Sequence, residues 1–200
     1  GRRAHRGRRR HLGVLQLMRY GIRSMVAPLG SVLVQAPGPA FGDTYGQLAR
    51  ASEQHAAFVR LLEDQGVEVH RLGDDGGRYD SVYTYDPALV TRRGAFILRA
   101  GKPDRGGEEA VMEAWFARRG VPLAGRIEAP GTVDGGDVFW LDEDTVCVGR
   151  SLRTNQAGID QLAAALDERV HVFDVPYDAG PDHCLHLLSV ISPVAERLAL

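Results

Sequence analysis

The sequence predicts an α/β fold built from a repeated strand–helix–strand unit. Three segments carry apolar residues at helical spacing, and each is followed by a short β-rich run. Those runs start at Val67, Val121 and Val170, intervals of 54 and 49 residues, which suits one module used repeatedly. A module of this kind buries its helix only by packing on a neighbour, so several must stack.

Taken in order, Ser31–Ala36 is a short apolar strand closed by Pro37-Gly38-Pro39. Thr44 to Gln65 reads as a helix with Leu48, Ala51, His55, Phe58, Val59 and Leu62 on one face, and Gly66 stops it. Val67–Leu72 alternates like a strand, Gly73–Gly77 is a turn, and Ser81–Tyr85 is extended. Phe96–Arg99 is the next strand. Glu108–Arg119 is a helix with Val111, Ala114, Trp115 and Arg118 along one side, stopped by Gly120, with a strand from Val121. Val138–Leu141 and Thr145–Val148 form a hairpin across an acidic turn. Asn155–Leu166 is a helix, Val170–Val175 a strand, and Leu185–Ile191 the opening strand of a fourth unit.

Composition narrows the function class. Apolar residues are 44% and charged residues 25% of 200, ordinary for a folded domain with a sizeable core. No run approaches the ~20 apolar residues of a membrane span. Two cysteines rule out a disulfide scaffold and a Cys-based structural zinc site. The net charge of −2 hides a split: residues 1–17 hold six arginines and no acid, so residues 18–200 carry −8. The basic head reads as a disordered tail or as residues upstream of a start at Met18; the alternative is an RNA-binding arm. The acidic body carries no nucleic-acid footprint. The glycine fingerprints of dinucleotide and phosphate-loop sites are missing, because Gly73–Gly77 and Gly135-Gly136 lack the helix such motifs need.

Four segments carry candidate chemistry. Asp80 and Asp86 flank an extended run; Asp86, before Pro87, has its side chain free at the strand's end or forms an Asx-type turn. Arg105, in a Gly-rich loop before a helix, is a carboxylate clamp or a solvated loop charge. Asp134-Gly-Gly-Asp137 lets backbone approach a ligand between two acids, or makes a tight turn; the spacing and closing Glu of a calcium loop are missing. His186, at the head of an apolar run, is a general acid/base or a hydrogen-bonded boundary histidine, and Cys184 beside it makes only a weak metal pair. Arg153 lies just before a helix start that Thr154 or Asn155 can cap. Carboxylates, loop arginines and one histidine together suit an amino-acid-like substrate with a cation at one end and a carboxylate at the other.

Five motifs occur in a fixed order: Asp80-Ser-Val…Asp86-Pro, Arg105-Gly-Gly-Glu108, Ile127-Glu-Ala-Pro-Gly-Thr-Val-Asp134-Gly-Gly-Asp137, Gly149-x-Ser-x-Arg153-Thr-Asn155 and Leu185-His186-Leu187. In this the chain, from Ser31 to Ile191, resembles the dimethylarginine dimethylaminohydrolases of the guanidino-modifying (amidinotransferase and arginine deiminase) superfamily. The resemblance implies an α/β propeller of five modules around a polar channel. It implies a hydrolase in which a cysteine thiolate attacks the guanidinium carbon of dimethylarginine or arginine, histidine passes a proton to the leaving amine, and water releases citrulline. By match, Asp86 and Asp134 hold the guanidinium, His186 is the acid/base, Arg105 and Arg153 bind the substrate carboxylate, and Asp80 lies near the substrate amine. The implied partner is a small guanidino molecule, with no cofactor, metal, nucleic acid or membrane; the charge-rich body and free thiols suggest the cytoplasm, and oligomeric state is not readable.

The pattern departs from the family in three places. The family's nucleophile lies near its C-terminus, beyond Leu200, so the resemblance implies a chain over 18–200 that lacks its last module and is inactive alone. Cys147 reads as core, and Cys184 sits on the same run as His186, poorly placed to attack across a channel. Tyr85 stands before Asp86 where dimethylargininases often carry an acid. Leu188 stands two residues after His186 where arginine and agmatine deiminases and amidinotransferases usually carry an acid, which sets the chain apart from those branches. The alternatives are an arginine deiminase-like enzyme and a non-catalytic module that binds arginine-type ligands.

Overall fold

The structure, a computed structural model, describes residues 20–22, 24–73, 77–176 and 185–200. The expectations for residues 1–17, for the Gly73–Gly77 turn at positions 74–76 and for Cys184 lie outside the described residues.

The module repeat is present. The first unit is β1 (Ser31–Val34), α1 (Pro39–Tyr45), α2 (Leu48–Asp64) and β2 (Glu68–Arg71), with β1 and β2 parallel. The second is the hairpin β3 (Ala88–Thr91) and β4 (Gly94–Ile97), then α3 (Glu108–Arg118) and β5 (Leu123–Arg126), parallel to β4. The third repeats that order: the hairpin β6 (Val138–Asp142) and β7 (Thr145–Arg150), then α4 (Gln156–Ala165) and β8 (Arg169–Asp174), parallel to β7. A one-turn helix α5 (Leu187–Val190) and the small antiparallel pair β9 (Pro193–Ala195) and β10 (Leu198–Ala199) follow.

Helices and sheets alternate because the sheets have two apolar faces to cover. Met112, Trp115 and Phe116 of α3 pack on Ala95 and Ile97 of β4, and Leu33 and Leu72 of the first unit close the same cluster. The opposite face of β4, through Phe96, joins Ile159 and Leu162 of α4 and Val138, Trp140, Val146 and Val148 of the third unit's hairpin. On the far side of that hairpin, Phe139 and Cys147 meet Leu187 of α5. The alternation of side chains along a strand thus sends β4 and β7 into two cores each.

Several sequence expectations need correction. The first helix breaks after Tyr45: Gly46 and Gln47 both take positive φ, of 70° and 52°, which a continuous right-handed helix cannot accommodate. Phe58 of α2 is half exposed, and Val59 carries the buried face. On α3 the inward residues are Glu108, Met112, Trp115 and Phe116, while Ala114 and Arg118 face out; the Trp115 indole donates to the Arg71 carbonyl at 3.2 Å, and that bond sets the helix's rotation. Ser81–Tyr85 is a chain of turns, because its amides bond locally, Tyr83 N to Asp80 O at 3.0 Å and Asp86 N to Tyr83 O at 3.1 Å. The run after Leu185 is helical at α5, since the Leu187 amide bonds the Asp137 carboxylate at 2.8 Å and the Leu187 side chain sinks beside Phe139. The stops at Gly66 and Gly120, both at positive φ, and the Asn155 cap, which accepts from Gly158 N at 2.8 Å, are as the sequence predicts.

Candidate functional site

The segments that carry the candidate chemistry meet at the turn Gly135–Asp137, which precedes β6. Asp86 sits in the turn before β3, and its Oδ1 accepts the Gly136 amide at 2.8 Å. His186, at the N-terminus of α5, lies against the other side of the same glycine: a Cβ on Gly136 would stand 2.9 Å from its ring. A Cβ on Gly135 would stand 2.0 Å from the Tyr85 carbonyl. The two glycines therefore admit neighbouring parts of the chain, and so bring Asp86 and His186 to the same residue, Gly136.

Asp134 is fully buried and links the site. Its Oδ1 accepts the Gly101 amide at 2.8 Å. Its Oδ2 lies 3.1 Å from His186 Nε2 and 3.6 Å from Arg153 Nη1. His186 needs an N–H on Nε2 to make that contact, which leaves Nδ1 as the basic nitrogen of the neutral ring. The Asp134 bond raises the His186 pKa above its ordinary 6.5; partial burial pulls the other way, and the nearby Asp86 and Asp137 charges add to the rise.

Asp137, the other acid of the turn, holds the fold together. It accepts Ser151 Oγ and Thr154 Oγ1, each at 2.7 Å, and the Leu187 amide. One buried carboxylate thus anchors both the loop that carries Arg153 and the helix that follows His186. Burial pushes its pKa up, against those three donors.

Arg105 departs from expectation. It is not a free loop clamp but a buried side chain, 3% exposed, in a turn at Pro103–Arg105. Its guanidinium bonds Glu108 Oε2 through Nε at 2.9 Å and Nη2 at 2.5 Å, makes a close ion pair with Asp86, and reaches the Asp80 and Tyr83 carbonyls. With these donors committed, Arg105 serves as the internal counter-ion of Asp86. Burial works against its charge, but Glu108 and Asp86 hold its pKa above the ordinary arginine value. Burial also raises the Glu108 pKa, which Arg105 offsets only in part.

Asp80 has partners the sequence reading missed. Its Oδ1 accepts the Tyr45 hydroxyl at 2.6 Å and its Oδ2 accepts Lys102 Nζ at 2.7 Å. Lys102 also lies 4.7 Å from the centre of the Tyr79 ring. Burial would raise the Asp80 pKa, but the Lys102 and Tyr45 bonds outweigh it and hold the carboxyl low. The one available signal was compositional: Lys102 is the single lysine in a chain with 23 arginines.

Tyr85 is partly buried and packs against the core, its hydroxyl bonded to the Val138 carbonyl at 3.0 Å. Cys147 is 2% exposed in β7, and burial pushes its thiol pKa up. Among the described residues, no His, Cys, Asp and Glu cluster is fit to hold a metal ion, and no helix is long and apolar enough to cross a membrane.

Comparison with known proteins places this geometry. Residues 80–195 match the family model described as arginine deiminase. The chain is 40% identical over 120 residues to an N(G),N(G)-dimethylarginine dimethylaminohydrolase of Pseudomonas aeruginosa, covering 60% of this chain and 47% of that protein. It is 37% identical over 147 residues to the protein of the same name in Streptomyces coelicolor, covering 73% and 55%. A solved structure of the Pseudomonas aeruginosa enzyme, a cysteine-to-serine variant complexed with citrulline, superposes with a TM-score of 0.69 at 33% identity, over 80% of this chain and 64% of that one. The chain spans about half the length of the curated relatives it matches.

Proposed function

The chain belongs to the arginine deiminase family, and from that premise we propose that it serves a C–N hydrolase acting on the guanidinium carbon of a free arginine derivative. The substrate is dimethylarginine or arginine, and the products are citrulline and an amine or ammonia. The observation that carries this reading is the contact of His186 Nε2 with Asp134 Oδ2 at 3.1 Å, with Asp86 across Gly136. Two carboxylates beside a proton-carrying imidazole suit a planar cation whose leaving nitrogen needs a proton.

In this reading Asp134 and Asp86 hold the guanidinium, and Arg105 keeps Asp86 in place. Arg153 takes the substrate carboxylate, and Asp80 marks the distal end of the substrate. A cysteine thiolate adds to the guanidinium carbon, forming a C–S bond, and His186 gives its proton to the nitrogen that leaves. Water then adds to the S-alkylthiouronium carbon while the now neutral His186 takes up the proton released, the C–S bond breaks, and the ureido product and free thiol result. Holding the protonated guanidinium keeps its carbon electrophilic. The repeated units support a propeller with the site in its polar channel, and Cys147 as a free thiol suits the cytoplasm.

Neither cysteine of this chain is assigned as nucleophile. Cys147 is buried with a raised pKa, and Cys184 lies two residues from His186 on the same run. The 200-residue chain is therefore expected to bind arginine-type ligands and to release no citrulline from them. Its burial of Cys147 also favours the second reading, a module that binds without catalysis. Titration calorimetry with arginine, dimethylarginine and citrulline tests both: binding is expected, with affinity reduced about tenfold or more in Asp134→Ala. A chain that gives no heat with any of the three is not a guanidino-binding protein. Citrulline release by the chain would make Cys147 or Cys184 the nucleophile.

A further inference from the structure

The contact between His186 and Asp134 joins segments 52 positions apart, and a second route through the protein holds the same two residues. Thr154 is its junction. It is fully buried, and its hydroxyl makes two bonds: Oγ1 accepts the Asp134 amide at 3.1 Å and donates to Asp137 Oδ2 at 2.7 Å. Asp137 Oδ1 in turn accepts the amide of Leu187, the residue after His186, at 2.8 Å. The circuit closes where His186 Nε2 meets Asp134 Oδ2 at 3.1 Å. A hydroxyl can accept and donate at once, so a single atom links the backbone of one aspartate to the carboxylate of the other.

Thr154 is itself held on both sides. Its carbonyl accepts the Ser151 amide at 3.0 Å, and its own amide donates to Ser151 Oγ at 3.1 Å. The next residue, Asn155, caps α4 and donates its amide to the Thr132 carbonyl at 3.1 Å. The branch at Cβ stiffens χ1, which leaves the hydroxyl few other directions to take. Asp134 is placed by the amide bond to Thr154, by Oδ1 accepting the Gly101 amide at 2.8 Å, and by Oδ2 facing His186. Of these, the Thr154 bond is the one that leads back to His186 through Asp137.

Resting on the functional reading above, we propose that Thr154 is a positioning residue whose hydroxyl sets Asp134 against His186, and so fixes the acid/base histidine relative to the guanidinium seat. It acts through Asp134 and Asp137 and touches neither the substrate nor the reacting atoms. A satisfied buried network holds a reacting pair to one geometry, because each bond lost leaves a buried polar group unpaired.

The test is NMR titration of His186 in the 200-residue chain. The acids that act on this imidazole are Asp134, Asp86 and Asp137, and Arg153 faces the same Asp134 oxygen. Thr154→Val keeps the shape and removes the hydroxyl. It is expected to lower the proton affinity of His186 about threefold or more, and Thr154→Ser, which restores the hydroxyl, to return it to within about twofold of wild type. Ser151→Ala separates position from charge. It takes a hydroxyl from the same Asp137 oxygen but leaves the Asp134 amide bonded, so His186 is expected within about twofold of wild type. An unchanged His186 in Thr154→Val, no rescue in Thr154→Ser, or an equal fall in Ser151→Ala overturns the proposal. If Thr154→Val does not fold, Thr154→Cys takes its place, since a thiol is a weaker donor and acceptor. A His186 proton affinity there no lower than in Thr154→Ser also overturns the proposal. Calorimetry with arginine on the same chains keeps the functional reading separate. A wild-type chain that gives no heat removes the guanidino reading, while the titration still decides whether Thr154 places Asp134 on His186.

Discussion

The charge on His186 is favoured most by one neighbour, Asp134. The Asp134 contact comes first among the causes that raise its pKa above 6.5, and only partial burial opposes it. The linkage sign follows. The raised pKa contributes stability that is fully present below about pH 6.5 and is lost as pH rises through the folded-state value. Asp134→Asn keeps a polar group at the same place but removes the charge. NMR titration of His186 in that variant should give a pKa below the wild-type value, and an unchanged pKa would mean that Asp134 does not control this histidine. A general acid needs its proton near neutrality, so the same shift bears on function. Arg105 behaves in the opposite way from what its loop position suggests. Its charge is spent on Asp86 and Glu108, and removing it would leave two buried carboxylates without their counter-ion.

Elements bring these residues together through close contacts that only backbone can make. Gly135 faces the Tyr85 carbonyl, a backbone atom that cannot yield, whereas Gly136 faces the His186 ring, which can turn. Gly135→Ala should therefore cost about 1–3 kcal/mol of stability, and Gly136→Ala should cost less while displacing His186. Thermal unfolding separates the two; equal losses would show that the turn does not distinguish backbone from side chain. The α4 cap makes a second case. Asn155 Oδ1 accepts both Gly158 N, at 2.8 Å, and Thr132 N, at 3.1 Å, tying the helix to the segment before Asp134. Asn155→Ala should lower stability by about 1–2 kcal/mol, read from a denaturant midpoint.

How far these features were legible in the sequence depends on their range. Asn155, Gly66, Gly120 and the β6–β7 hairpin announce themselves through local chemistry, namely capping, left-handed stops and alternation. The strand β3 did not, because four residues between Pro87 and a tight turn give too short a period to read. The helical start after His186 was invisible for a different reason. Leu187 is held by Asp137, fifty positions away, and no local propensity encodes that bond. The six candidate residues were legible as motifs, but their pairing was not. Nothing within its loop shows that Arg105 lies on Asp86 or that Lys102 lies on Asp80.

Across the whole molecule, the repeat explains why the site exists where it does. Each unit sends a loop toward the Gly135–Asp137 turn, and the alternating helices and sheets hold those loops in register. The same stacking leaves β8 at the edge of its sheet among the described residues, with Val172 and Phe173 exposed. Edge strands with apolar side chains invite pairing between copies. Sedimentation should show self-association of the 200-residue chain that Phe173→Lys reduces; a wild-type chain that stays monomeric at high concentration would rule this out.

The most direct test follows His186 by NMR while dimethylarginine is added. A guanidinium seated on Asp134 brings a positive charge beside the imidazole, which disfavours its protonated form. The His186 pKa is predicted to fall on saturation from its raised value, with shifts in its ring resonances that are lost in Asp134→Ala. Binding that leaves the His186 resonances and pKa unchanged would contradict the placement of the cation between Asp86, Asp134 and His186.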